Sequence, residues 1–279
     1  MAPRRQERLG LLGSVGPGVV FLGAFFAFPL VLMLRESLIG AGKLTLSNYH
    51  AVVTPFNVAT GEASLVIGLV VTALTIVIGF PVAAYYVRAS KRMRSWVMVL
   101  VVSPLFINLV VSVYGWMTLL ETTGGINRIL ETLGWIGQPL HLMYNDIGVI
   151  IGMTQVFLPF MILSQISSLE NIDHSLYEAA NLLGAPDLRV FRTITLPLAK
   201  PGLVAGSTLV FALVEGAFIT PSLLGGNSVQ MIALQVYSDI LVLFNWPQGT
   251  ALAVLLALLI VVLLTLQRLL MRESPRRAR

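Results

Sequence analysis

The chain has 279 residues, 56% of them hydrophobic and 11% charged, with a mean hydropathy of +0.86 and a formal net charge of +5. That composition lies far outside the range of soluble domains and makes lipid the solvent for most of the chain. Cysteine is absent, which excludes disulfides and thiolate metal sites.

A membrane span needs roughly 20 predominantly apolar residues to cross a hydrocarbon core of about 30 Å. Six stretches qualify: 13–34, 64–87, 95–119, 147–168, 201–221 and 248–267. The sequence therefore predicts an all-α integral membrane protein with six transmembrane helices. Its parts are an N-terminal tail (1–12), a transmembrane domain (13–268) with an internal loop at 169–200, and a basic tail (269–279). Arg4, Arg5 and Arg8 ahead of the first run imitate a signal peptide. The run is too long and lacks a small-x-small site with a polar continuation, so the first helix is expected to be retained. Pro81, Pro104 and Pro159 fall inside the second, third and fourth spans and read as kinks, because neighbouring helices can satisfy the freed carbonyls.

Lysine and arginine sort sharply between the two sides. Arg4, Arg5, Arg8, Arg88, Lys91, Arg92, Arg94, Arg189, Arg192, Lys200, Arg268, Arg272, Arg276, Arg277 and Arg279 share one side, and only Arg35, Lys43 and Arg128 lie opposite. Cationic loops are retained in the cytoplasm, so both termini and the 169–200 loop are expected to be cytoplasmic. The positive charge thus reflects topology. It predicts attraction of the basic tails to anionic lipid and no nucleic-acid partner. His50 and His141 fall in different outer loops and His174 on the other side, so no metal site is expected.

The 169–200 loop is polar and interrupted, and its pattern is Glu178-Ala179-Ala180, then Gly184, then Ile194, then Leu196-Pro197. Ser175 followed three residues later by Glu178 fits a capping box, with Leu176, Ala179, Ala180 and Leu183 at helical spacing behind it. Gly184 supplies a left-handed stop. Pro186 then opens a second short helix with Asp187 in its first turn, and Leu196-Pro197 is expected to end that helix before the next span. Two short helices broken at a glycine make a knob, with Ala179 and Ala180 as a flat face for a partner.

This segment is similar to the EAA motif of permease subunits of bacterial binding-protein-dependent ABC importers, and it matches every signature position. The resemblance implies the type I importer permease fold. It also implies that Glu178, Ala179, Ala180, Gly184, Ile194, Leu196 and Pro197 dock into a cleft of an ABC ATPase subunit, two of which per complex hold the ATP and magnesium. The chain itself has no phosphate-binding loop: its one Gly-Lys pair, Gly42-Lys43, is followed by Leu44 where Ser or Thr would hold magnesium. No cofactor and no enzymatic activity are therefore expected on this chain. A second, different permease subunit and a periplasmic or extracellular solute-binding protein complete the assembly that the resemblance implies.

The outer loops resemble the spermidine/putrescine branch of that family, and its first permease more than its second. The residues that carry this are Phe218 to Gly226, Asn245-Trp246-Pro247, Tyr114-Gly115-Trp116 and Gly125-Ile126-Asn127. Their structural reading is that Gly225-Gly226 turns the chain, Pro221 ends a helix and Trp116 and Trp246 anchor at the interface. Segment 227–243, with Val229, Ile232, Ala233, Val236 and Ile240 at helical spacing, is expected to pack on the second permease or the binding protein.

An ionisable group in hydrocarbon costs on the order of 2.5–3.5 kcal/mol on insertion scales, which singles out Glu215. It lies six residues before the expected outer end of the fifth span, roughly 9 Å deep, where a carboxylate attracts a cation. In the third span Asn108, Ser112 and Trp116 recur every four residues and share one face, offering an amide, a hydroxyl and an aromatic surface. The structural alternative is interhelical hydrogen bonding by Asn108 and Ser112 and a paired or protonated Glu215. Gly148/Gly152 and Gly202/Gly206 are spaced for close helix approach. Two positions depart from the polyamine pattern: Ala217 where an acid precedes the phenylalanine, and Ser112 where an arginine precedes the aromatic pair. The cargo is accordingly a polyamine-like cation or another small organic solute of amino-acid-derivative, opine or phosphonate type. A stand-alone secondary transporter would need inverted repeats, and none is visible.

Overall fold

A computed structural model describes residues 3–40 and 42–272, with side chains for 16–40 and 42–267. The side chains of Arg4, Arg5 and Arg8 and of Arg268 to Arg279 lie outside the described residues, as does most of the 269–279 tail. In chain order the helices are α1 (Pro3–Ser37), α2 (Ser47–Val52), α3 (Pro55–Arg88), α4 (Lys91–Val102), α5 (Leu109–Leu120) and α6 (Gly125–Thr132). They continue as α7 (Asp146–Glu170), α8 (His174–Leu182), α9 (Asp187–Val190), α10 (Leu196–Glu215), α11 (Ile232–Tyr237) and α12 (Trp246–Arg272). The described strands, β1 (Ile39–Gly40) and β2 (Lys43–Leu44), form one antiparallel hairpin.

Five helical runs are long and apolar enough to cross a membrane: Gly16–Ser37, Pro55–Arg88, Asp146–Glu170, Asp187–Glu215 and Trp246–Gln267. A sixth is reached only by joining Lys91–Phe106 to Leu109–Thr132, which meet at 102°. The expected third span is therefore broken. Pro104 does not kink a continuous helix there; it sits in a 3-10 turn, Ser103–Phe106, that closes α4, and Asn108 caps α5. A proline cannot donate to the ladder, and an asparagine that accepts two backbone N–H groups offers the chain a new start. Pro81 and Pro159 do lie inside α3 and α7.

The chain divides into two compact units, Met1–Pro55 with Val236–Ala257, and Phe56–Gln235 with Leu258–Arg279. In the first, Asn48 ties the chain back on itself, its side-chain amide donating to the Ser37 and Ile39 carbonyls at 2.9 Å each, while the Ser37 hydroxyl meets that of Tyr49 at 2.7 Å. Gly249 gives room to Ile240 and Asp239, whose side chains a Cβ there would strike.

The second unit is organised around α7. One buried cluster joins Ile67 and Val71 of α3, Val113 and Leu120 of α5, Val149, Met153, Phe157 and Met161 of α7, and Val210 and Val214 of α10. A second cluster, toward the 169–200 loop, contains Ala83, Val101, Ile162, Ile166, Leu169 and Ala199. Lipid tails are as apolar as leucine, so helices in a membrane associate through close packing and hydrogen bonds. Gly202 and Gly206 of α10 provide both. A Cβ on Gly202 would strike Ser168 and lie 2.7 Å from the Ser164 carbonyl, and one on Gly206 would lie 2.7 Å from the Met161 sulfur. At that contact the Ser164 hydroxyl donates to the Gly202 carbonyl at 2.9 Å. Gly152 likewise admits Leu224 and Thr220. Farther along α10, the Thr208 hydroxyl donates to the Gln267 side chain at 3.1 Å, and that side chain's amide donates to the Val204 carbonyl at 3.4 Å.

Two expectations about helix ends are corrected. Leu196-Pro197 does not stop the second loop helix. Helix α9 runs through a π-helical turn, Phe191–Thr195, straight into α10, and the Leu196 N–H reaches back five residues to the Phe191 carbonyl. The widened turn sits immediately before the residue that cannot donate, so the missing bond is absorbed without a break. The fifth span also ends earlier than expected, at Glu215 with Gly216 as its cap, and Pro221 begins a second π-helical turn, Pro221–Gly225. Gly226, at φ +54°, makes the turn that follows. Gly202→Val is expected to lower stability by about 1–3 kcal/mol, the usual cost of overpacking, read as a fall in the thermal midpoint of the purified chain. Gly115→Ala, where a Cβ meets nothing within 4 Å, is expected to leave it unchanged.

Candidate functional site

The 169–200 loop begins where α7 runs out. The Asp173 carboxylate accepts from the Ser175 N–H at 2.9 Å, so Asp173 and not Ser175 caps α8, and the capping box does not form. That backbone hydrogen bond is also the largest reason its carboxyl sits below the usual aspartate range. Helix α8 ends at Gly184, whose φ of +67° is the left-handed stop expected of it. Pro186 caps α9 with Asp187 in its first turn.

The presented surface differs from the expected flat alanine face. Ala180 is buried and only Ala179 faces out with Glu178. The tip is instead apolar: Leu182 and Leu183 are 89% and 87% exposed, with Leu188 also exposed across Gly184. Leu183 was expected at helical spacing behind Leu176, Ala179 and Ala180. It lies at the C-cap, where the chain leaves the helical track, so helical spacing no longer assigns its face. Ile194 and Leu196 are half-buried and Pro197 is exposed. The loop is anchored from inside by the Tyr177 and Thr195 hydroxyls, 3.2 Å apart, beside a cavity of about 260 Å³ that Arg88, His174 and Asp187 also line.

Arg94 holds the entry to this loop, a role that sequence reasoning missed. Its guanidinium donates to the Val87 and Ala89 carbonyls at the end of α3, stacks over the Tyr86 ring and lies 3.5 Å from the Glu170 carboxylate at the end of α7. The only signal in the sequence was a charge in a cationic loop, which topology alone explains.

Glu215 is fully buried. It is the last residue of α10, not one and a half turns inside a span, because the helix stops at Gly216. Its Oε2 accepts from the Ser64 hydroxyl of α3 at 2.9 Å, and its Oε1 points at Gly68, where any Cβ would displace it. Oε1 has no hydrogen-bond partner. The expected stripe on α5 also changes. Asn108 is the N-cap, its side-chain oxygen accepting from the Val110 N–H at 2.9 Å and the Val111 N–H at 3.4 Å, so it is committed to the backbone. Ser112 and Trp116 do share a face, and both reach Gln155 of α7, at 3.3 and 3.1 Å. Asn127 is structural, donating to the Glu121 and Leu140 carbonyls and accepting from the Leu140 N–H. Val229, Ile232 and Ala233 are buried within the chain, so that part of 227–243 is not a free face. Among the described residues no three His, Asp or Glu side chains are grouped to hold a metal ion.

A helical, multi-pass architecture with a structured loop between two tightly packed helices defines an integral membrane protein. Residues 75–274 match the model of the family described as binding-protein-dependent transport system inner membrane component, and the chain belongs to that family. It is 34% identical over 253 residues to the spermidine/putrescine transport system permease protein PotB of Haemophilus influenzae, covering 89% of this chain and 84% of that one. It is 33% identical over 220 residues to the PotB of Escherichia coli, covering 79% and 80%. Its fold is similar to a chain of a bacterial alginate ABC transporter solved with an alginate pentasaccharide-bound periplasmic protein, with a TM-score of 0.76, 18% identity and 98% of each chain covered. The chain is thus an ABC importer permease, homologous to a polyamine permease and embedded in the inner membrane as a multi-pass protein. Membership in a binding-protein-dependent system sets aside the stand-alone secondary transporter.

Two outcomes follow from this geometry. Gly68→Ala and Glu215→Ala are each expected to cost about 1–3 kcal/mol, and the double variant less than their sum by about 1 kcal/mol, because the alanine at 68 fills space the carboxyl vacates. Thermal denaturation of the four chains in detergent measures that coupling; strict additivity would show that the two side chains do not meet. At the loop, Gly184→Ala is expected to cost roughly 1–2 kcal/mol from the left-handed backbone alone, whereas Gly184→Asn is tolerated. Both are read as rates of proteolysis within 169–200.

Proposed function

We propose that this chain, paired with a second and different permease, forms the passage for a small polyamine-like cation delivered by a solute-binding protein. ATP and magnesium act on two separate ATPase subunits, and the force of hydrolysis enters through loop 169–200. The observation that carries the reading is the loop itself. Leu182 and Leu183 stand almost fully exposed on a rigid, internally hydrogen-bonded knob, and exposed leucine pairs of that kind are held out of water by a partner. Glu178, Ala179, Gly184 and Pro197 are exposed on the same loop, while Ala180 is buried and Ile194 and Leu196 are half-buried. Arginine and lysine retention puts this knob, and both termini, on the cytoplasmic side.

The cargo reading rests on the identity shared with the PotB permeases over most of the chain. Ser112 and Trp116 are the residues of this chain assigned to the passage. Glu215, also read as a pathway residue, is buried with its carboxylate accepting from Ser64 of α3. A different small organic solute is the second reading, favoured by Ala217 and Ser112, which replace the acid and the arginine of the polyamine pattern.

Co-purification with the neighbouring ATPase in detergent tests the loop. Wild type is expected to retain a stoichiometric ATPase and Gly184→Asp to lose it; equal retention would remove the loop from the coupling role. Reconstitution with the cognate binding protein tests the cargo, with uptake of 1,4-diaminobutane expected and its absence moving the assignment to the second reading.

A further inference from the structure

The bend between α4 and α5 interrupts a pair of helices that together are long and apolar enough for one span, with Phe106 84% exposed and Ile107 and Asn108 exposed beside it. A break of this kind within a span occurs where protein covers it or where it lines a water-filled path. Ser112 and Trp116 lie one and two turns beyond Asn108 on the same side of α5, the side that the cation-import reading assigns to the passage.

Gln155 determines what these two residues present. An indole N–H only donates, so the atom of Gln155 that lies 3.1 Å from Trp116 Nε1 is the amide oxygen, whichever way the amide is drawn. Ser112 Oγ lies 3.3 Å from that same oxygen and therefore donates its hydrogen there too. Both donors are consumed. What remains is the pair of lone pairs on the Ser112 hydroxyl and the π face of Trp116, each of which attracts N–H donors and positive charge. We infer that Gln155 is a positioning residue that sets the polarity of the Ser112–Trp116 pair, making it a resting point for an alkylammonium group in the passage. The inference deepens the cation-import reading above and depends on it. Nothing in the periodicity of α7 distinguishes Gln155, because its significance comes from two donors that approach from another helix.

The test uses the whole assembly, permeases with ATPases in proteoliposomes, supplied with binding protein loaded with labelled 1,4-diaminobutane. Gln155→Met removes the shared acceptor at similar volume, and Gln155→Glu keeps one. Initial uptake is expected to fall about tenfold in Q155M, on the scale of one cation–π contact, and to be largely restored in Q155E. Uptake by Q155M equal to wild type, or loss in Q155E as deep as in Q155M, overturns the inference. A second reading does not rely on variants of Gln155. With Trp96, Trp135 and Trp246 changed to Phe, the emission of Trp116 is expected to shift on adding 1,4-diaminobutane to the assembly, and an unchanged spectrum overturns the inference. If the wild-type assembly takes up no diamine, the cargo reading fails, and this inference with it; wild-type uptake with unaffected variants sinks the inference alone.

Discussion

The seating of α10 on α7 is the contact on which the second unit depends. In lipid there is no hydrophobic gain from bringing two apolar helices together, so what holds them is dispersion at short range and the few hydrogen bonds that short range allows. Gly202 and Gly206 remove the side chains that would keep α7 away, and the Ser164 hydroxyl then reaches the Gly202 carbonyl at 2.9 Å. Because α7 leads into the 169–200 loop and the run containing α10 leads out of it, this contact also fixes the two ends of the knob. A loop held at both ends by packed spans moves only as those spans move.

Prolines act on this architecture in two opposite ways. Pro197 is absorbed by a π-helical turn, and a single helical run extends from Asp187 to Glu215. Pro104 coincides with a 3-10 turn and an asparagine cap, and the chain turns through 102°. The first keeps the loop mechanically continuous with a span. The second ends one helix and starts another, whose Ser112 and Trp116 face Gln155 of α7.

Polar groups then divide by what satisfies them. Asn127 and Asn108 serve the backbone, and Arg94 serves the end of α3 together with Glu170. Ser112 and Trp116 are pinned to Gln155 with an acceptor face left over. Glu215 keeps one oxygen on Ser64 and the other without a partner, an arrangement retained because Gly68 leaves room for it. Polar groups in hydrocarbon are costly, which concentrates function at the few that are not fully committed.

Much of this protein was legible in one dimension. Apolar runs, the sorting of arginine and lysine, Gly184 as a left-handed stop and the spacing of the loop residues are local properties, governed by chain length, charge and backbone sterics, and they sufficed for the class, the multi-pass helical fold and the family. The break after Pro104, the outward turn of Leu183, the capping by Asp173, the end of α10 at Glu215 and the meeting of Ser112 and Trp116 on Gln155 were not legible. Each depends on which of several locally acceptable backbone paths or hydrogen-bond partners is nearest in space. Residues 39 and 43 positions apart become neighbours only after α5 and α7 have packed. The sequence by itself determined that this is a multi-pass permease with a polar, glycine-broken loop between two spans; tertiary structure alone decided which polar side chains tie helices together and which keep unused hydrogen-bonding capacity, because a donor takes whatever acceptor the packing brings within reach.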